Sequence, residues 1–293
     1  MRIIVLTILI LLSVQAFSQK KSYKINNDDN TLLWEISGKG LKKPSFIFGT
    51  MHMVCKEDVN FSENLKNALA DADTVYFEMD LDDPTLMLSG MKFMKMKDKT
   101  LKDLYTPEEF DRVEKYFNDS IKVPFKMMQS LKPLFLQALI YPKLMPCKNV
   151  SSVEQELMLI AKKQSKPIKG LETLEFQASV FDSIPYDVQA RDLLKSIDSI
   201  GSYNIQFQKM VNDYKNQDFS NYDSLLKSSE YGSEENQAVL LDNRNINWAK
   251  QLNLILKGKP VFVAVGAAHL PGKNGIINLL RQQGYTLKPL YNK

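Results

Sequence analysis

Two stretches of this 293-residue chain share a pattern that few folds accommodate, an uninterrupted apolar run ending in Gly-x-x-His. The first is Phe46-Ile47-Phe48-Gly49-Thr50-Met51-His52 and the second Val263-Ala264-Val265-Gly266-Ala267-Ala268-His269. Continuous apolar runs of this length read as strands covered on both faces, the kind found inside parallel sheets. Glycine permits a sharp exit from the strand and a close backbone approach. Each imidazole then stands just past a strand's carboxyl end, the edge at which open α/β sheets bind ligands. The chain has only 2 histidines, so its whole imidazole inventory sits at such edges.

Around these runs the pattern is one of strands at both ends and a mostly helical middle. Residues 31–37 and 45–49 read as strands across a Gly/Lys/Pro turn, and Thr74–Phe77 as a third. Leu65, Ala68 and Leu69 give 61–72 a helical apolar face. Thr106-Pro107-Glu108-Glu109 is a helix start with cap, first-turn proline and capping-box glutamate. Residues 130–145 read as a short buried helix with proline-broken ends, and Ser152 opens another helix. Pro167–Leu171 reads as a strand, with helices at 173–183, 187–213, 217–229 and 234–257. Strand Pro260–Val265, a helix at 274–283 closed by Gly284, and strand Tyr285–Pro289 complete the chain. The expected fold is α/β, with a central mixed β-sheet built from N- and C-terminal strands and a large helical region at 85–257. One domain over 20–293 is expected. Stretch 85–98, rich in Met (Met87, Met91, Met94, Met96) and Lys, reads as a helix or lid with a solvated basic edge; the alternative is a ligand or partner face.

The strand ends carry the chemistry. Val75-Tyr76-Phe77-Glu78-Met79-Asp80 puts Glu78 and Asp80 two apart, on one strand face, and Gly170-Leu171-Glu172 adds a third carboxylate. Were these strands parallel neighbours, two imidazoles and two or three carboxylates would converge on one rim, and a divalent cation would make that tolerable. Two neutral His and one carboxylate with an open position suit a hydrolytic metal site; the same set serves non-haem iron. His52, Glu78 and His269 are the candidate ligands, with Asp80 or Glu172 as outer support or general base. Mixed N/O donors leave Mn²⁺, Co²⁺ or Zn²⁺ open. Arg244, in Asp242-Asn243-Arg244-Asn245, is a candidate clamp on Glu172 or on a substrate carbonyl or anion. Two other readings stand beside this one. One is a metal-free hydrolase with a histidine base; the other is a binder of metal, haem or a small ligand without turnover. His-Glu-x-x-His, Gly-x-Ser-x-Gly, phosphate-loop, dinucleotide and Cys-x-x-Cys patterns are absent from the sequence.

Residues 1–19 (MRIIVLTILILLSVQAFSQ) have the charged, apolar and small-residue order of a secretory signal. A periplasmic or secreted protein is expected, with no stable membrane span after cleavage. Export makes a Cys55–Cys147 bridge the first expectation, two buried thiols the second, and Cys55 as a metal ligand the third. The formal charge of +4 demands no nucleic-acid partner. The expected partner is a peptide or small-molecule substrate.

These motifs carry a resemblance. SFIFGTMH (45–52), VYFEMD (75–80), GLET (170–173) with Gln177, Arg244-Asn245, and VGAAHLPG (265–272) with Gly275 make the chain similar to the TraB/GumN family, which includes the Tiki-type proteases. The resemblance runs from about Leu32 to Leu290. It implies a fold like that of erythromycin esterases and ChaN-type proteins, and a metal-dependent hydrolase with peptide cleavage in the Tiki branch. It implies His52, Glu78 and His269 as the core of the site, supported by Glu172 and Arg244. A membrane tether of the Tiki kind is not expected here, since no C-terminal anchor pattern is seen.

Overall fold

The computed structural model describes residues 30–84, 86–220 and 234–292. The expected signal segment and most of the expected 217–229 helix lie outside them. Strands β1 (Leu33–Ser37), β2 (Ser45–Thr50), β4 (Thr74–Met79), β6 (Ile168–Glu172), β7 (Val261–Gly266) and β8 (Thr286–Pro289) form one mixed sheet in the order β6-β4-β7-β2-β1-β8. β6, β4, β7 and β2 run parallel, while β1 is antiparallel to both β2 and β8. The expected α/β architecture is what the chain adopts. The middle region is not purely helical, because β6 comes from within it and forms one edge of the sheet.

Burial on both faces explains why the parallel strands read as unbroken apolar runs. On one face, Phe46, Phe48, Val75, Phe77, Phe262 and Ala264 pack against helices Glu63–Asp71 and Val153–Lys163. On the other, Ile47, Val261, Val263 and Val265 meet Trp248 and Leu252 of helix Asn243–Ile255 and Ile276, Ile277 and Leu280 of helix Ile276–Gln282. That last helix ends at Gly284, whose φ of 93° is the left-handed geometry expected of it, and Tyr285 N–H reaches back to the Leu280 carbonyl. The middle region has its own core of Phe110, Val113, Phe117, Phe125, Leu136, Ile140, Leu193 and Phe207. Thr106 and Glu109 form the expected capping box at its helix Pro107–Tyr116.

The structure departs from the sequence reading in the helices and turns. The expected helix 187–213 is two helices, Tyr186–Asp198 and Ile200–Asn216, broken at Ser199. The expected helix 234–257 is interrupted by a π-turn at Ala238–Asp242 just before Arg244. Residues 130–145 hold two short helices, Pro133–Ala138 and Tyr141–Leu144. Residues 217–220 are not helical, and Gln217 is left-handed, closing the preceding helix. Apolar periodicity survives each break, so the pattern alone does not register it. Asp80 lies beyond β4, where its Oδ1 accepts the Asp82 N–H, so it shares no strand face with Glu78. Within 85–98, helix Leu86–Phe93 is present; Met91 and Met94 are exposed while Met96 is buried, so these three line no common groove. Among the described residues no helix is long and apolar enough to cross a membrane.

A small antiparallel ribbon, β3 (Val54–Cys55) with β5 (Val150–Ser151), was invisible in the sequence because each strand is only two residues long. A Cys55–Cys147 disulfide, with Cα atoms 5.8 Å apart, fastens it. The bridge spans 92 residues of sequence and stabilises chiefly by restricting the unfolded chain. Replacing both cysteines by serine is expected to lower unfolding free energy by roughly 3–5 kcal/mol in urea titration. An unchanged midpoint would show that the bridge restrains little.

Candidate functional site

The parallel strands end in the order β6, β4, β7, β2, so the sheet edge reads Glu172, Glu78, the turn to His269, and the turn to His52. Neither motif glycine adopts a positive φ; close approach is what requires them. A methyl group on Gly266 would sit 3.2 Å from Glu78 Oε1, and one on Gly49 would sit 3.1 Å from Ala267 Cα. The Gly266 N–H donates to Glu78 Oε1 at 2.8 Å, tying the acidic strand end to the histidine-bearing turn beside it.

Arg244 sits at the centre. Its Nη2 donates to Glu78 Oε2 at 2.7 Å and to Glu172 Oε1 at 2.5 Å, and its Nε to Glu172 Oε2 at 3.2 Å. Its Nη1 donates to the Leu240 carbonyl in the π-turn. The planar fork thus spans two carboxylates from neighbouring strands, which a lysine's point charge would not do. Glu172 also accepts from Trp248 Nε1 at 3.1 Å and Gln177 Nε2 at 3.3 Å. With four donor groups on it, that carboxylate anchors Arg244. Of the partners the sequence offered Arg244, Glu172 is one it contacts in the fold.

His269 is 4% exposed and lies against Trp248, ring centroids 4.5 Å apart. Its protonation pattern follows from its neighbours. Asn245 Nδ2 donates to the Asn274 carbonyl, so Asn245 Oδ1 is the atom facing His269 Nδ1 at 2.6 Å, and Nδ1 carries the hydrogen. Nε2 therefore presents a lone pair, 3.7 Å from Glu78 Oε1 and 3.4 Å from Arg244 Nη1. Burial pushes the His269 imidazole down to about 3, with Glu78 opposing and Arg244 reinforcing the shift, so the ring is neutral at physiological pH. Burial raises the Glu78 carboxyl, but His269, Arg244 and His52, with the Gly266 N–H, outweigh it and hold it down to about 2. Burial also raises the Glu172 carboxyl, against the lowering effect of Arg244.

His52 lies apart from this cluster. Its side chain is 77% exposed, and its Nδ1 is 2.8 Å from Oε1 of Glu154, on helix Val153–Lys163 at the opposite face of the sheet. The ring contributes to the fields at both Glu78 and His269. Among the described residues, the group of three His, Cys or carboxylate ligand atoms within 4.8 Å of one another is Cys55, Glu57 and Cys147, whose two sulfurs form the disulfide. The structure therefore brings Glu78, Glu172, Arg244 and His269 together, leaves His52 at the rim, and leaves Asp80 outside. Glu154, Asn245 and Trp248 were not singled out as site residues in the sequence. Trp248 lies four residues after Arg244 on the same helix, so helical spacing was the available signal for it, while Asn245 was visible only as Arg244's neighbour in the chain.

The chain is 22% identical to "Metalloprotease TIKI1" and 21% identical to "Metalloprotease TIKI2", both of Danio rerio. Each alignment covers 89% of this chain but only 63% and 61% of the relatives' own length, so the chain spans under two thirds of either. No solved structure matches. The profile of the TraB/PrgY/gumN family matches residues 32–289, from the first strand of the sheet to the last, with both Gly-x-x-His motifs inside it. The chain belongs to the TraB/PrgY/gumN family.

Proposed function

We propose that this protein is an exported metal-dependent hydrolase acting on peptides, with a divalent ion taken up between His269 and Glu78 while His52 stands apart at the rim. The observation that carries the reading is the approach of His269 Nε2 and Glu78 Oε1 to 3.7 Å, the first also facing Arg244 Nη1 at 3.4 Å and the second accepting the Gly266 N–H. Two ligands of one tetrahedral ion with bonds of about 2.0–2.2 Å stand about 3.3–3.6 Å apart, so little movement would let them share a cation. The charges agree: Glu78 and Glu172 against Arg244 leave the pocket with one uncompensated negative charge, which a cation would offset. His269 donating Nδ1–H to Asn245 Oδ1 is the outer support that metal-binding histidines use to fix their tautomer.

A bound divalent ion supplies Lewis acidity and makes water a nucleophile near neutral pH. The residues supply the rest. Arg244 holds the Glu78 carboxylate through Oε2, leaving Oε1 toward His269. Glu172, itself held by the Gln177 amide, fixes Arg244 from behind. Trp248 covers the His269 ring and keeps water from that side. Against His269 as a metal-free general base stands its burial, which leaves the imidazole holding a proton only weakly at neutral pH. The relatives' names as metalloproteases, at low identity, point to peptide bonds as the substrate class.

Reconstitution with Mn²⁺, Co²⁺ or Zn²⁺, metal content by mass spectrometry and a peptide-library digest test this reading. Cleavage abolished by chelator, and metal lost from His269→Ala and Glu78→Gln, are expected; chelator-resistant cleavage, or unchanged metal content in both variants, overturns it. Arg244→Ala leaves two buried carboxylates without their cation and is expected to destabilise by about 3–5 kcal/mol in urea titration, with Arg244→Lys restoring little. Acid gives a further check. His269 has a folded pKa below its ordinary 6.5, so its contribution to stability is full above pH 6.5 and declines as pH falls toward 3. Glu78 behaves alike between 4.5 and about 2. His269→Gln is expected to flatten the stability profile between pH 6.5 and 4.5; a persistent decline there would assign it to other groups.

A further inference from the structure

Among the described residues, the buried side-chain polar atoms that lack a hydrogen-bond partner are Thr50 Oγ1, both carboxylate oxygens of Glu154, and Gln283 Oε1. All but the last belong to two residues at the rim where His52 stands. Thr50 is 2% exposed and Glu154 8%. Thr50 ends β2, on the face that turns Phe46 and Phe48 toward helix Val153–Lys163. Glu154 lies in the first turn of that helix, and Val153 N–H donates to the Met51 carbonyl at 3.1 Å, which sets the helix start beside the residue after Thr50. Tyr214 lies on the inner side. Its hydroxyl donates to the Gly49 carbonyl at 3.1 Å, and its titration is pushed up by burial and then by the Glu154 charge. The helix dipole offsets part of that charge but supplies no hydrogen bond to it. No Lys or Arg among the described residues comes within ion-pair distance of Glu154; its contact is His52 Nδ1, 2.8 Å from Oε1 with no hydrogen bond formed. A carboxylate and a hydroxyl shut away from water without partners cost stability, and such groups mark a place that something else completes.

We propose that Glu154 and Thr50 are the seat for a primary ammonium group of the peptide substrate. A carboxylate only accepts hydrogen bonds, and an ammonium only donates them, through three N–H groups. The two Glu154 oxygens and Thr50 Oγ1 offer one acceptor to each. Charge-assisted bonds of this kind are the strong ones. Over Oε1 lies the His52 ring, whose side chain is 77% exposed, so rotation of one rim side chain uncovers the seat. The ammonium belongs either to a chain N-terminus or to a lysine side chain. The seat is separate from the Glu78–His269 pair, so it governs which peptides bind rather than the chemistry done on them. The inference rests on the proposed peptide substrate for the identity of the ligand, and on no bound ion.

Affinity is measured by calorimetry in the presence of chelator, so no turnover is required. The probes are synthetic peptides of otherwise equal sequence: one with a free N-terminus and no lysine, one N-acetylated with a lysine, and one N-acetylated without lysine. At least one amine-bearing peptide is expected to bind roughly 10–100-fold more tightly than the fully blocked one, and which of them does so assigns the ammonium to the N-terminus or to lysine. Glu154→Gln, equal in size, and Thr50→Val, equal in shape, are expected to reduce that preference while leaving affinity for the blocked peptide unchanged. Equal affinity of the unaltered protein for every peptide, or binding of none, overturns the proposal. A preference that survives in folded Glu154→Gln, or in Thr50→Val should the first variant not fold, overturns it too. Absence of cleavage with any metal refutes the hydrolase reading alone, since the affinities still decide whether the seat takes an ammonium.

Discussion

One guanidinium holds the centre of this molecule together. Glu78 and Glu172 end neighbouring parallel strands, and both side chains are nearly removed from water. Like charges so placed repel, and each resists burial. Arg244 answers both at once because its planar fork presents donors in two directions. The sheet edge, the helix Asn243–Ile255 and the π-turn before it are therefore tied through a single side chain. Trp248 and Asn245 of the same helix then fix the face and the tautomer of His269.

The parallel sheet makes this economy possible. Parallel strands place all their carboxyl ends on one edge, so residues far apart in sequence meet there without long loops. Glu78 and Gly266 are 188 residues apart, yet one hydrogen bond joins them. The two faces divide the work. The face covered by helices Asn243–Ile255 and Ile276–Gln282 encloses a dry cluster around His269, while His52 stays at a wet rim beside the disulfide-fastened ribbon. A buried donor pair and an exposed histidine give a site that is rigid on one side and reachable on the other.

Much of the fold was legible because burial leaves marks in sequence. β7 is apolar at nearly every position, and β2 from Phe46 to Phe48, since both their faces are covered, and the capping box at Thr106 and the C-cap at Gly284 are short-range signals. The candidate site was partly legible because strand ends are. Glu78, Glu172, His269 and Arg244 all follow or face an apolar run whose end can be read. The misreadings have a common source. The breaks at Ser199 and Ala238–Asp242 preserve apolar spacing, and Asp80 leaves its strand because its side chain bonds its own backbone two residues on.

The sequence by itself determined the local facts: which runs are buried strands, where they end, and which ionisable side chains stand at those ends. It determined them because strand burial and capping act over a few residues. Only the tertiary structure decided the order of strands in the sheet, and with it which charges are neighbours. It put Arg244 between Glu78 and Glu172, gave Asn245 to His269, and set Glu154 beneath His52. Those pairings are long-range electrostatic choices, made by strand order and helix packing, and no local pattern encodes which carboxylate a distant cation will find.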